Sequence, residues 1–213
     1  MSKDIFTADF AVSNPTYIIA PGWEGRDHYH KVPADAFTIA VNKGIQTPCH
    51  HNIWLAEDMG MLKLHPWFEG KVESLIKLNE PPESYIATPV FGKGKMTKRF
   101  PRVKYHYESG SMLSSHPEHK PMPGVLRGGA TIASKAVQLA FNKGCRHIIL
   151  VGVDMRGRKY FDGTKTTSTM INDENLWWCV HKWKKLLANL RVMRCKVESL
   201  SETALDVGVI NGA

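Results

Sequence analysis

The sequence predicts an α/β protein with a mostly parallel sheet flanked by helices, and three observations carry that expectation. Several short β-rich runs are apolar throughout instead of alternating with polar residues, the mark of strands covered on both faces. Two readable helices each lead into such a run, over 128–153 and 172–200, which is the grammar of right-handed crossovers. A chain of 213 residues with 43% hydrophobic and 23% charged content suits one substantial core, so residues 1–213 are expected to form a single domain.

In chain order, the expected strands are TYIIA (16–20), AFTIAV (36–41), NIWLA (52–56), SYIAT (84–88), VKYHYE (103–108), HIILVGV (147–153) and CKVESL (195–200). In the first helix, GGATIASKAVQLAFNKG, Ala133, Ala136, Val137, Ala140 and Phe141 recur at helical spacing, and Gly144 supplies the stop. In the second, Leu176, Val180, Trp183, Leu187 and Leu190 form the apolar stripe, with Asn172 as N-cap and Asp173 and Glu174 in the first turn. The stretch 89–127 differs from the rest. It holds Pro89, Pro101, Pro117, Pro121 and Pro123 and the basic run KGKMTKRFPRVK, and is expected to be an irregular lid or insertion.

The formal net charge of +8 favours an anionic partner: a phosphorylated small molecule, nucleic acid or an acidic surface. Cys49, Cys145, Cys179 and Cys195 lie far apart with no C-x-x-C pair, so no disulfide framework or zinc ribbon is expected, and no metal ligand set is assigned. The start carries no secretory pattern, and Ile148 to Val153 is too short to span a bilayer. A cytoplasmic location is therefore expected, and a homo-oligomer is compatible with the sequence.

Four places could carry chemistry. PGWEGRDH (21–28) follows the first strand; Pro21, Gly22 and Gly25 there either form a tight turn or let a phosphate approach the backbone. Asn42 closes the second strand, either as an Asx-turn or as an amide that reads a nucleobase or ribose edge. LRGGATIAS (126–134) brings Arg127, Gly128, Gly129 and Thr131 to a helix start, which suits an anion; the alternative is close helix–sheet packing. VGVDMRGRKYFDG places Asp154 and Tyr160 where a parallel strand reaches a ligand crevice, with a simple turn acid as the competing reading of Asp154. Neither a G-x-S-x-G elbow nor a P-loop is present, which argues against the common hydrolase and P-loop classes.

In their order, YIIAPGWEGRDH, AFTIAVNKGI, NIWLAEDMG and above all GVLRGGATIASKAVQLAFNKGCRHIILVGVDMRGRKYFDG resemble the bacterial sialyltransferases of the Campylobacter type and the related MptE-like pterin diphosphokinases. The resemblance spans roughly residues 16–200 and implies a Rossmann-like fold. It implies that Pro21, Gly22 and Asn42 contact the nucleotide donor, that Gly128 and Gly129 sit beneath its phosphate or sugar, and that Asp154 and Tyr160 border the reacting end. The family's base is a histidine between the G-x-D strand and the final helix; His181, inside the helix, is the nearest here. The function expected is a nucleotide-dependent transferase, most simply a glycosyltransferase using a CMP-sugar type of donor. The alternatives are a diphosphokinase using ATP with Mg, with Glu57, Asp58 or Asp154 as ligands, and a non-enzymatic nucleotide or nucleic-acid binding module.

Overall fold

A computed structural model describes residues 3–7, 10–55, 85–89, 105–109, 121, 123, 125–126, 131–156, 159–165 and 173–210. Among the described residues ten strands form one sheet: β1 Lys3–Asp4, β2 Thr16–Ile19, β3 Phe37–Val41, β4 Ile53–Leu55, β5 Tyr85–Pro89, β6 Tyr105–Ser109, β7 Val125–Leu126, β8 His147–Val151, β9 Lys196–Ser199 and β10 Gly208–Val209. Their order is β1-β6-β5-β4-β3-β2-β8-β9-β10, with β7 beside β6 off that path. Every pairing between these strands is parallel. The fold is thus the α/β class that the apolar runs predict, and it is Rossmann-like as the resemblance implies. β1, β7 and β10, of two residues each, are too short to leave a periodic signal. Of the stretch expected as a lid, Pro89, β6 and β7 belong to the sheet, and most of the remainder lies outside the described residues.

The burial of both sheet faces explains why the strands read as continuous apolar runs. Ile18, Ile39, Val41, Ile53, Leu55, Ile148 and Leu150 point to one core. Their neighbours Tyr17, Ile19, Ala40, Trp54, Ile149 and Val151 point to another. Alternate residues of a strand face opposite sides, so two cores demand an apolar residue at every position.

Two helices pack on the first face. Helix α1, Ile132–Asn142, presents Ala133, Ala136, Val137, Leu139 and Ala140 and lies against β2 and β3. Helix α2, Asp173–Val192, presents Trp183, Leu186, Leu187 and Leu190. Right-handed crossovers account for both helices lying on one face, because the steps into β8 and from β8 to β9 run in the same direction across the sheet. The steps from β2 to β3 and from β3 to β4 run the other way, and Tyr29, Ile45 and Cys49 of their connections pack in the second core. Direction reverses between β2 and β8, and the carboxyl ends of those strands frame the natural crevice of such a sheet.

Both helices end in the same way. Gly144 has φ +99°, Cys145 N–H donates to Ala140 O at 3.0 Å, and Gly144 N–H donates to Phe141 O at 3.0 Å. The pattern recurs after α2, where Cys195 N–H donates to Leu190 O at 2.9 Å and Arg194 N–H to Arg191 O at 3.0 Å. These are Schellman closures, which place one residue in the left-handed region, and glycine fills that position without strain. The second closure uses Arg194, at φ +56°. Replacing it by glycine is expected to raise unfolding stability by about 0.5 to 1 kcal/mol in urea titrations, strain relief outweighing the added freedom of the unfolded chain.

Candidate functional site

Past the end of β2 the chain does not leave the sheet freely. Ala20 N–H donates to Val151 O and Gly22 N–H to Gly152 O, both at 2.9 Å, which extends the β2–β8 pairing into the two loops. On its other side the same segment meets a returning turn: Phe161 N–H donates to Pro21 O at 2.9 Å, and Gly22 bridges Tyr160 in antiparallel register. The loops after β2 and β8 are therefore joined at the point where strand order reverses.

This joining requires glycine. A Cβ on Gly22 would lie 2.3 Å from Gly152 O and 2.5 Å from both Cγ and Oδ1 of Asp154. One on Gly25 would lie 2.6 Å from Gly152 Cα and 2.7 Å from the Tyr29 hydroxyl oxygen. Gly152 itself has φ +69°. The buried Tyr29 hydroxyl donates to Ala20 O at 2.7 Å from beneath, and its ring packs edge-on against Phe161.

Asp154 is 5% exposed and directly behind Gly22. Its Oδ2 accepts the Glu24 N–H at 2.9 Å, while Oδ1 is buried with no partner among the described residues. Burial pushes its pKa up to about 7; the Glu24 N–H bond and the more distant Arg156 and Arg26 draw it down, and the Glu24 carboxylate adds to the rise. The aspartate that sequence leaves between turn residue and site residue is a buried anchor of the glycine loop.

β3 contributes the opposite rim. Asn42, at φ +45°, opens the 3-10 turn Asn42–Gln46 and is half-buried, and its carbonyl accepts the Trp54 indole N–H at 2.8 Å. Lys43 follows and turns inward: its buried Nζ lies 2.7 Å from Asp162 Oδ2, 2.7 Å from Thr164 Oγ1 and 4.6 Å from the Tyr160 ring centroid. Burial raises the Asp162 pKa, but hydrogen bonds from Lys43 and Thr164 outweigh it and hold the carboxyl below its ordinary value. Lys43 thereby ties the 159–165 turn, and Tyr160 with it, to the end of β3. On the outer side Trp23 carries the Arg26 guanidinium 4.0 Å and the Lys159 ammonium 5.4 Å from its ring centroid.

Pro21, Gly22, Gly25, Asn42, Asp154 and Tyr160 are thus gathered at one end of the sheet. Thr131 is the N-cap of α1: its hydroxyl accepts the Ser134 N–H at 3.3 Å and the Trp183 indole N–H at 3.0 Å. Its hydroxyl serves helix start and helix–helix packing. Arg127, Gly128 and Gly129, like Glu57 and Asp58, lie outside the described residues. His181 is exposed on α2 with its ring stacked on Trp177 at 5.8 Å, and among the described residues no hydrogen bond or ion pair joins it to the gathered group. Among the described residues no cluster of three or more His, Cys, Asp or Glu could hold a metal ion, and no helix is long and apolar enough to cross a membrane.

Lys43, Tyr29 and the Asp162–Thr164 pair are the site residues that sequence reasoning passes over. Lys43 is adjacent to Asn42 and Asp162 lies two residues after Tyr160, so proximity to singled-out residues is the only local signal.

No protein-family model matches the chain, and neither does any curated protein. Solved structures do. A MAf glycosyltransferase from Magnetospirillum magneticum AMB-1 aligns with TM-score 0.60 and 11% identity over 99% of this chain and 36% of its own. This chain therefore spans about a third of that protein's length. The monofunctional alpha-2,3-sialyltransferase Cst-I from Campylobacter jejuni aligns with TM-score 0.56 and 13% identity, covering 96% of this chain and 86% of its own. The sialyltransferase Cst-II, in complex with a trisaccharide acceptor and CMP, gives TM-score 0.54 and 15% identity, covering 91% and 85%. At such identities the likeness is one of fold.

The geometry sets two expected outcomes. Asp154 has a folded-state pKa of about 7 against an ordinary 3.8, so folding favours its protonated form. Its contribution is complete below pH 3.8 and is lost as pH rises through about 7, a span worth roughly 4 kcal/mol. Asp154→Asn keeps an acceptor for the Glu24 N–H without a charge. Its stability relative to wild type, from urea unfolding, should improve progressively across that pH range; a constant difference would contradict the buried carboxyl. Gly22→Ala should cost about 3 kcal/mol or more by the same measurement, because its Cβ has no space.

Proposed function

We propose that the protein is a nucleotide-dependent transferase of the glycosyltransferase type, using a sugar donor activated with CMP. One observation carries the reading: Pro21, Gly22 and Tyr160 meet at the carboxyl end of the sheet, where direction reverses between β2 and β8, with Asn42 at the same end of the neighbouring β3. Open α/β sheets bind nucleotides at such points. The fold likeness to sialyltransferases, one of them solved with CMP and an acceptor trisaccharide, supports the nucleotide and donor class.

In this reading the glycine loop offers the donor a backbone with no side chain in the way, and Asn42 reads the nucleoside. Tyr160, whose ring is held by Lys43, hydrogen-bonds the leaving phosphate, and Lys159 and Arg26 on Trp23 add positive charge at the same rim. Arg127, Gly128 and Gly129 are proposed to complete the phosphate site, with 1–213 acting as one nucleotide-binding unit. Asp154 positions the loop instead of deprotonating the acceptor, because its carboxyl is covered by Gly22 and engaged by the Glu24 N–H. His181 faces solvent on α2 and takes no part.

Titration calorimetry with CMP, UDP, GDP and ATP tests the reading. Saturable CMP binding without added metal is expected, and Tyr160→Phe should weaken it about tenfold or more through loss of one charge-assisted hydrogen bond. Binding of ATP alone, and only with Mg, would transfer the reading to the diphosphokinase class. No binding of any of the four would remove its basis.

A further inference from the structure

Helix α2 shows solvent a face that the other described residues leave unpartnered. Its inner stripe, Trp183, Leu186, Leu187 and Leu190, is buried in the first core and fixes the rotation of the helix. The outward arc is then Trp177, His181, Lys184, Lys185, Arg191 and Val192, all exposed. At 100° per residue these positions fall within about a third of the helix circumference. Trp177 is 70% exposed and Val192 83%, so large apolar side chains stand at both ends of the stripe, about 22 Å apart at 1.5 Å per residue. The cations stand between them.

The charge on this face is of one sign. From Asn175 to Val192 the helix contains no Asp or Glu, while it carries Lys182, Lys184, Lys185 and Arg191. Asp206 pairs with Arg191 at 3.3 Å, and among the described residues no ion pair engages Lys184 or Lys185. Beside the arc, Trp178 is half-buried beneath the Lys182 ammonium at 5.1 Å from its ring centroid. The acids Asp173 and Glu174 precede the segment, in the first turn.

From this arrangement we infer that the outer face of α2 is a peripheral docking surface for an anionic phospholipid bilayer. Charge complementarity requires an acidic partner. The exposed Trp177 and Val192 distinguish a bilayer from nucleic acid, since a ring and an aliphatic side chain on one stripe with lysines gain from the headgroup–acyl boundary and nothing from a phosphate backbone. Because β8 and β9 are parallel, α2 runs antiparallel to them and starts at the crevice end of the sheet. Docking along α2 would bring that end of the molecule beside the membrane. The inference does not depend on the proposed nucleotide chemistry.

Flotation of the full chain with phosphatidylcholine vesicles, with and without phosphatidylglycerol, tests it, alongside a labelled DNA duplex as competing probe. The wild type should float with the anionic vesicles only, and less as salt is raised. The double variant Lys184→Glu, Lys185→Glu should lower partitioning at least about tenfold, and Trp177→Ala about threefold or more. Circular dichroism melts are expected to show all variants folded, since each altered side chain is exposed. Three results would overturn the proposal: no preference for anionic vesicles, a preference that the α2 variants leave unchanged, or binding to the duplex alone with no effect of Trp177→Ala.

Discussion

The junction between the loops after β2 and β8 is the constraint on which the rest of the site depends. Two adjacent parallel strands normally part at their carboxyl ends, because crossovers carry their chains in opposite directions where winding reverses. Here Gly22 and Gly152 let the backbones stay in contact beyond the last strand residue, and Gly22 N–H donates to Gly152 O. The crevice is consequently not an open gap between strands but a ledge of joined backbone. Asn42, Tyr160 and Trp23 are arranged around that ledge, each from a different segment.

The cost of this ledge is concentrated in one buried carboxyl. Asp154 accepts the Glu24 N–H with one oxygen, and the other lies buried beneath Gly22 with no partner among the described residues. A buried carboxylate is unfavourable unless fully paired, which is why the group is held toward its neutral form. Lys43 meets the opposite condition: its buried ammonium has Asp162, Thr164 and the Tyr160 ring around it. The two buried polar groups divide the labour, one fixing the glycine loop from below and the other fixing the returning turn from the side.

Much of the fold was legible because both sheet faces are buried. Runs such as IILV (148–151) and IAV (39–41) are apolar at every position, and Gly144 marks the close of α1 plainly. Arg194 closes α2 in the same geometry and is invisible to the rule that looks for glycine. Of the site, the strand-end positions of Pro21, Gly22, Asn42, Asp154 and Tyr160 could be read, since strand ends follow from strand periodicity. Their connections could not. The Lys43–Asp162 pair joins residues 119 positions apart, and the covering of Asp154 by Gly22 depends on two strands becoming neighbours. The Thr131 hydroxyl, readable as an anion ligand, is taken up by a long-range bond from Trp183 that no local pattern encodes.

The central claim is that the ledge between β2 and β8 is where a nucleotide sits. Amide chemical-shift mapping during a CMP titration tests it most directly, since it locates binding without assuming turnover. Progressive, saturable shifts concentrated at Gly22, Gly25, Asn42, Gly152 and Tyr160 are the result this account requires. Saturable shifts that leave those amides unmoved and gather on another part of the sheet or along α2 would contradict it.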